Sequence, residues 1–201
     1  MTMQDRERPA LLVIDMVRDN FDEGRKLPIT PFAKRIIDPI NQLIARFRQE
    51  GWPIVFATDA FHAQDFIFKG SMKPHSLAGT AGAEVIDELD RKQEDYWMPK
   101  PSLSAFFRTG LDLWLRRRGV TLCAVSGIAT NFCVLLTVMD AVCNDFKAVL
   151  LEDCTAASSE KIHEQVLGVY RRNPLYPLLR IQSSRDLMRD LLGHGVPAGD
   201  R

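Results

Sequence analysis

Four short stretches of this chain are apolar nearly from end to end: "ALLVIDMV" (10–17), "PIVFATD" (53–59), "TLCAVSG" (121–127) and "AVLLED" (148–153). They do not alternate with polar residues. A strand of that kind has both faces covered, whereas a sheet with one wet face reads as alternation. The chain is therefore restricted to a sheet sandwiched between two layers.

The segments between these runs supply the layers. Thr30 is expected to cap a helix with Pro31 in its first turn, and Ile36, Ile37, Ile40, Leu43, Ile44 and Phe47 recur at helical spacing. Gly51 ends that helix. "GAEVIDEL" is a short helix candidate. "DYWMPK" (95–100) reads as a short strand, and Thr109 with Asp112 resembles a capping box ahead of Leu111, Leu113, Trp114 and Leu115. A helix is expected over about 131–145, another from a Ser158 cap to about Arg172, then a strand "LLRIQS" and a helix "SRDLMRDLL". Strands alternating with helices imply an α/β fold: three layers, α-β-α, around a mostly parallel, Rossmann-like sheet of about six strands. The 201 residues suit one domain over 1–201.

Composition excludes several classes. Lys+Arg and Asp+Glu number 26 each, so there is no basic footprint for nucleic acid. The runs Arg116–Arg118 and Arg171–Arg172 fall where helices end, where cations offset the helix dipole. No stretch approaches about 20 apolar residues, and the first apolar run carries an Asp, so the expectation is a soluble, cytoplasmic protein with no membrane partner. None of the four cysteines belongs to a C-x-x-C pair, which leaves a zinc knuckle or a thioredoxin motif unsupported.

In parallel sheets, sites collect beyond the carboxyl ends of the strands. Asp15, Asp59 and Asp153 are expected at or near such ends. Lys100 follows the short strand, and Cys133 lies at the first turn of the helix after Gly127. Each has a structural alternative. Asp15 could cap a neighbouring loop, Lys100 could be a surface lysine, and Cys133 could fill the core. Together, a carboxylate, an amine and a thiol from separate strand ends can meet in one pocket. A helix start and a nearby lysine would both lower the Cys133 pKa. Cys133 also shares a stripe with Thr137, Asp140 and Asn144, off the most apolar side of its helix. The loop 60–82 carries Phe61, Phe66 and Phe68, which would form either a packed lid or subunit contact, or a wall of the pocket.

With these motifs, "LLVIDMVRDNF", "MPKPSLSAF" and "VSGIATNFCV…LEDCTAA", the chain resembles the isochorismatase-like cysteine hydrolases, a family that includes nicotinamidases and N-carbamoyl amidohydrolases. The likeness runs from about Ala10 to Ile181. It implies a catalytic triad of Asp15, Lys100 and Cys133, and a cis peptide between Ile128 and Ala129 that helps, with Cys133, to form an oxyanion hole. It also implies cleavage of an amide or carbamoyl C–N bond of a small molecule through a thioester, in a homo-oligomer, either dimer or tetramer. Phe21, Asp59 and His75 are the expected pocket residues. Val17 stands where the family's first motif usually has Gln. Nicotinamidases hold a metal through an Asp-x-His pair and a later His. Here Asp59 and His75 match, Phe61 replaces the middle ligand, and His62 is one residue late. No cofactor is therefore expected, and a divalent metal has only partial support. Two other readings are a vinyl-ether hydrolase of the isochorismatase type, and a non-catalytic member that binds a ligand or partner.

Overall fold

Every residue of strand β1 (Pro9–Ile14) is buried, as is every residue of β2 (Ile54–Asp59) and β4 (Leu122–Ile128). The computed structural model describes residues 7–193, so the polar stretch 1–6 lies outside it. Three more strands, β3 (Tyr96–Lys100), β5 (Lys147–Ala156) and β6 (Leu179–Gln182), complete a sheet in the order β3-β2-β1-β4-β5-β6. All five pairings are parallel. The fold is the three-layer α/β sandwich that the apolar runs require.

Successive residues of β1 point to opposite layers. Leu11 and Val13 enter one apolar cluster, while Ala10, Leu12 and Ile14 enter the other. The first layer is built by α2 (Thr30–Arg35), α3 (Ile37–Gln49) and α7 (Ser184–Leu192), which supply Ala33, Ile40, Phe47, Leu187 and Leu191. The second is built by α4 (Leu111–Arg117), α5 (Leu135–Cys143) and α6 (Glu160–Arg171), through Leu115, Val138, Ala141 and Leu167. A single helical turn, α1 (Arg18–Phe21), follows β1. Among the described residues no helix is long and apolar enough to cross a membrane.

Several local expectations are corrected. The helix expected from Thr30 through Phe47 is two helices that break at Ile36. Pro39 has no N–H to give the Arg35 carbonyl, so one continuous helix would lose a rung there. Thr30 is not the cap. Its hydroxyl donates to the Asn20 carbonyl at 2.8 Å. "GAEVIDEL" is helical only at Gly82 and Ala83, in a 3-10 turn, because its backbone from Glu84 on is tied to the chain after β1. Arg18 N–H donates to the Glu84 carbonyl and Ile86 N–H to the Met16 carbonyl, at 3.0 and 3.1 Å. Val85, Ile86 and Leu89 plug the first apolar cluster from that stretch. Ser159, not Ser158, caps α6, accepting from the Ile162 N–H at 3.2 Å. Strand β5 runs past Asp153 to Ala156, and the Asp153 carboxylate accepts from the Ser184 N–H and hydroxyl at the start of α7. Asp153 therefore lies inside β5 and holds Ser184 at the start of α7 instead of closing a strand.

The sheet order places β1 between β2 and β4. The chain winds outward one way through β2 and β3, then the other way through β4, β5 and β6. The crevice at such a reversal, beyond the strand carboxyl ends, is where α/β sheets bind ligands.

Candidate active site

Asp15 directly follows Ile14, at a positive φ of 51° that short polar side chains tolerate better than most. The Asn20 side-chain amide donates to the Asp15 carbonyl at 2.9 Å and holds that turn. Beside it in register, Ile14 faces Gly127 of β4. Gly127 has φ +101°, and a Cβ there would overlap the Ile14 carbonyl oxygen. Glycine is thus the residue that lets β4 approach β1 closely and carry the next segment over Asp15. Across the other edge, Asp59 and Lys100 are register partners at the ends of β2 and β3.

The segment after Gly127 then turns. The peptide between Ile128 and Ala129 is cis. Residues Thr130–Val134 form one π turn before α5, in place of the ordinary α-helix that the apolar spacing suggests. The Ala129 carbonyl accepts from Phe132 N–H at 3.0 Å and from Val134 N–H, five residues on, at 3.2 Å. Such wide turns often occur at functional positions. The Thr130 hydroxyl lies 2.9 Å from Nδ1 of His163 on α6, which ties the turn to its neighbour.

Asp15, Lys100 and Cys133, drawn from three strand ends, converge at this point, and Asp59 joins them. Lys100 is fully buried. Its Nζ lies 2.9 Å from Asp15 Oδ2, an ion-pair contact whose angle falls short of a hydrogen bond. Nζ also donates to Asp59 Oδ1 and, at 3.1 Å, to the Ser102 carbonyl. Asp15 Oδ1 accepts the Asp59 backbone N–H at 2.7 Å. One carboxylate oxygen each of Asp15 and Asp59 and the Cys133 sulfur all lie within 4.8 Å of one another.

Burial sets the electrostatics. It pushes the Asp15 carboxyl above the usual carboxylate range, against the opposing pull of Lys100. Burial, and then the Asp15 charge, push Asp59 up to about 7. Burial disfavours the Lys100 ammonium, but Asp15, Cys133 and Asp59 outweigh it and hold the cation firmly. Burial also pushes the Cys133 thiol well above its ordinary value, which Lys100 only partly offsets. That corrects the expectation of a lowered thiol pKa and of a position off the apolar side. The π turn sinks Cys133 into the second apolar cluster beside Val134 and Val138. Burial thus favours the neutral thiol at Cys133, which faces the Asp15 carboxyl.

A cavity of about 250 Å3 opens over this floor, with Asn20 and His75 among its polar lining. Its walls are apolar: Ile29, Phe61, Ile67, Met72, Leu103 and Phe132. Phe61 is buried and packs edge-on against Phe68 and His75, at ring-centroid distances of 5.4 and 5.7 Å. Phe66 points outward, 84% exposed. Phe21, expected at the pocket, packs against the first apolar cluster, and its neighbour Asn20 lines the cavity. Ile29, Leu103, Ile67 and Met72 escape a reading of the sequence, because single apolar residues in loops carry no periodic signal. The Asp59–Lys100 pair escapes it as well, although both residues end their strands.

The donors present do not fit the metal site of the nicotinamidases. Asp59 Oδ1 is taken by the Lys100 ammonium. The Phe61 ring lies against His75, whose Nδ1 is 3.0 Å from the Lys73 carbonyl and so donates to it. Among the described residues the one gathering of possible ligands is Asp15, Asp59 and Cys133, and a lysine cation already sits on both carboxylates.

A buried carboxylate, ammonium and thiol at the switch point of a parallel α/β sheet define a class of small-molecule site. Known proteins similar to this chain narrow it further. Residues 9–178 match the isochorismatase domain, and the chain belongs to the isochorismatase family. A probable inactive nicotinamidase of Arabidopsis thaliana is 32% identical over 164 residues, 77% of this chain and 83% of the relative. An isochorismatase-like hydrolase from Alkaliphilus metalliredigens superimposes with a TM-score of 0.81 at 30% identity, covering 91% of this chain and 98% of that one. N-carbamoylsarcosine amidase from Thermoplasma acidophilum does so with a TM-score of 0.76 at 30% identity, covering 88% and 96%.

Proposed function

We propose that this single-domain chain is a cysteine-dependent hydrolase of a small amide or carbamoyl compound, working through a thioester on Cys133. The observation that carries the reading is the meeting of Asp15, Lys100 and Cys133, with Asp15 and Cys133 lining one cavity and Lys100 buried behind Asp15. The similarity to an N-carbamoylsarcosine amidase supports C–N chemistry.

Asp15 accepts the Cys133 proton as sulfur attacks the carbonyl carbon. A carboxyl with a raised pKa is a stronger base, and so better matched to a thiol than an ordinary aspartate. Lys100 keeps the paired anions compatible and steadies the charge as it moves to sulfur. Backbone N–H groups near Ala129 and Cys133 hold the developing oxyanion, each strong donor contributing about 3–4 kcal/mol. Asp15 returns its proton to the leaving nitrogen, and the C–N bond breaks. Asp15 then takes a proton from water, which attacks the thioester and frees the acid and the thiol. The vinyl-ether reaction does not require a thiol, so Cys133 weighs against it.

The test is ammonia release from a panel of primary amides, ureido acids and nicotinamide, with intact-mass detection of an acyl group on Cys133. Turnover with an adduct that maps to Cys133 supports the proposal. Turnover that survives Cys133→Ala would overturn the mechanism. A folded protein inert on the whole panel would favour a ligand-binding member, in line with the relative named as inactive.

A further inference from the structure

His163 lies on α6, is not among the residues that line the cavity, and takes no part in the reaction above. Its Nδ1 is 2.9 Å from the Thr130 hydroxyl. Thr130 is fully buried and opens the π turn that carries Cys133. The Glu152 backbone carbonyl of β5 takes a ring N–H of His163. With Nδ1 engaged by Thr130, that N–H belongs to Nε2, and Nδ1 accepts from the Thr130 hydroxyl. Burial holds the imidazole below its ordinary value, and Arg171 of α6 acts in the same direction, against Glu164 of α6 and Glu152 of β5. At about pH 8 the ring is therefore neutral and keeps its acceptor. His163 thus joins β5 and α6 to the first residue of the turn.

The shape of that turn matters to the nucleophile. The Ala129 carbonyl accepts from the Phe132 and Val134 N–H groups and not from Cys133. An ordinary α turn would spend the Cys133 N–H on that carbonyl, four residues back. The wider turn leaves this N–H free to meet an oxyanion. π turns are rare, so this one needs contacts outside itself to keep its width. The Thr130 hydroxyl supplies such a contact, and stranding a buried hydroxyl is costly. We infer that His163 is a positioning residue: by accepting from the Thr130 hydroxyl it holds the turn in the wide form that presents the Cys133 thiol and keeps the Cys133 N–H for the oxyanion. The inference rests on the hydrolase reading above and adds a residue to that site. His163 acts through Thr130 and does not touch the reacting atoms.

Three variants of the full chain separate this role from plain packing. His163→Phe keeps a ring without the acceptor. His163→Asn carries Oδ1 on Cγ, as Nδ1 is carried, and can accept again. Thr130→Val removes the hydroxyl at nearly constant shape. Hydrogen exchange at about pH 8 is read on peptides covering 129–136, 160–171 and β1. His163→Phe and Thr130→Val should each speed exchange over 129–136 about tenfold with β1 unchanged. The double variant should go no further than the larger single effect, because both substitutions remove one bond. His163→Asn should stay within about twofold of the parent. On whichever amide the panel identifies, kcat should fall about tenfold in His163→Phe and Thr130→Val and recover in His163→Asn, with KM within about twofold throughout. Should His163→Phe fail to fold, Thr130→Val against His163→Asn carries the comparison. Unchanged exchange over 129–136, a rise confined to 160–171 or spread evenly through the chain, effects that multiply in the double variant, or no rescue by asparagine overturns the inference. So does a parent-like kcat in Thr130→Val. If exchange follows the expected pattern but the parent turns over no amide, the hydrolase reading fails and the hold of His163 on the turn stands.

Discussion

The backbone N–H of Asp59 donates to Oδ1 of Asp15 at 2.7 Å. The last residue of β2 thereby fixes the carboxylate that follows β1 and leaves Oδ2 for Lys100 and the thiol. It also brings a second carboxylate into the site, and that neighbour is the larger charge effect on Asp59 after burial. Asp59 is thus a positioning residue, through its backbone for Asp15 and through its side chain for Lys100.

Its titration should be visible in stability. Asp59 is pushed up to about 7 in the folded chain, against an ordinary carboxylate value near 3.8 in the unfolded one. Between about pH 4 and 7 the folded chain holds a proton that the unfolded chain has lost. Stability must therefore fall as pH rises through that window and level off above it. The raised Asp15 adds to the same slope. Asp59→Asn should flatten the dependence by a few kcal/mol over the window, read from denaturant midpoints at about pH 5 and 8. An unchanged slope would mean that Asp59 is ionised throughout.

Lys100 should prove structural as well as functional. Lys100→Met leaves Asp15 and Asp59 facing each other without their cation. Breaking a buried ion pair in this way costs about 3–5 kcal/mol. Adding Asp59→Asn removes one of the stranded charges, so the double variant should recover much of the stability and none of the turnover. The coupling between the two substitutions is the measurement. Simple additivity would show that Lys100 and Asp59 do not share the interaction.

Thiol chemistry should follow exposure before it follows function. Cys143 is the exposed cysteine, while Cys123, Cys133 and Cys154 are buried. Iodoacetamide should label Cys143 first. Cys133 should follow, because the cavity reaches its sulfur and Asp15 can take its proton. Burial pushes Cys123 and Cys154 far up, and they should stay unmodified. In Cys143→Ser, peptide mapping should then show Cys133 alone, with labelling slowed by a bound amide. Equal labelling of Cys123 would contradict this.

Chelation should leave turnover intact. Asp59 Oδ1 is held by Lys100, Phe61 packs against His75, and among the described residues no group of three possible ligands close enough to share an ion includes His75. If EDTA abolished ammonia release and zinc restored it, the Asp59–Lys100 pair would have to open to admit the ion.

What can be read from the sequence follows from what each signal depends on. The strands are legible because double-sided burial writes a continuous apolar run, and the sheet order then brings Asp15, Lys100 and Cys133 to one end. Lys100 cannot be seen as buried from its own position. Its burial depends on the β2–β3 register, which sets Asp59 opposite it. The thiol is misread from sequence for the same reason, since burial outweighs a nearby cation and can be seen only once the π turn is in place. The loop residues Ile67, Met72 and Leu103 line the cavity through long-range packing, which no local pattern records. "GAEVIDEL" carries helical spacing, but its backbone is held by Met16 and Arg18.

Two glycines offer the sharpest contrast. Gly127 has φ +101°, and a Cβ there would overlap the Ile14 carbonyl oxygen and lie 2.7 Å from the Ile14 nitrogen. Both neighbours are backbone of a central strand and cannot move aside. Gly127→Ala therefore has to push β4 from β1, disturbing Asp15 and the turn that carries Cys133 together. A loss of more than about 4 kcal/mol, or failure to fold, is expected, which is exceptional for one added methyl group. Gly168 lies inside α6, and a Cβ added there would meet nothing within 4 Å. Gly168→Ala should stabilise the chain by about 0.5–1 kcal/mol by lowering the backbone entropy lost on folding. Denaturant midpoints for the two variants, with ammonia release from the surviving folded fraction, measure both effects. If Gly127→Ala folded as well as Gly168→Ala, β1 and β4 would not be held in the close register that brings the carboxylate and the thiol together.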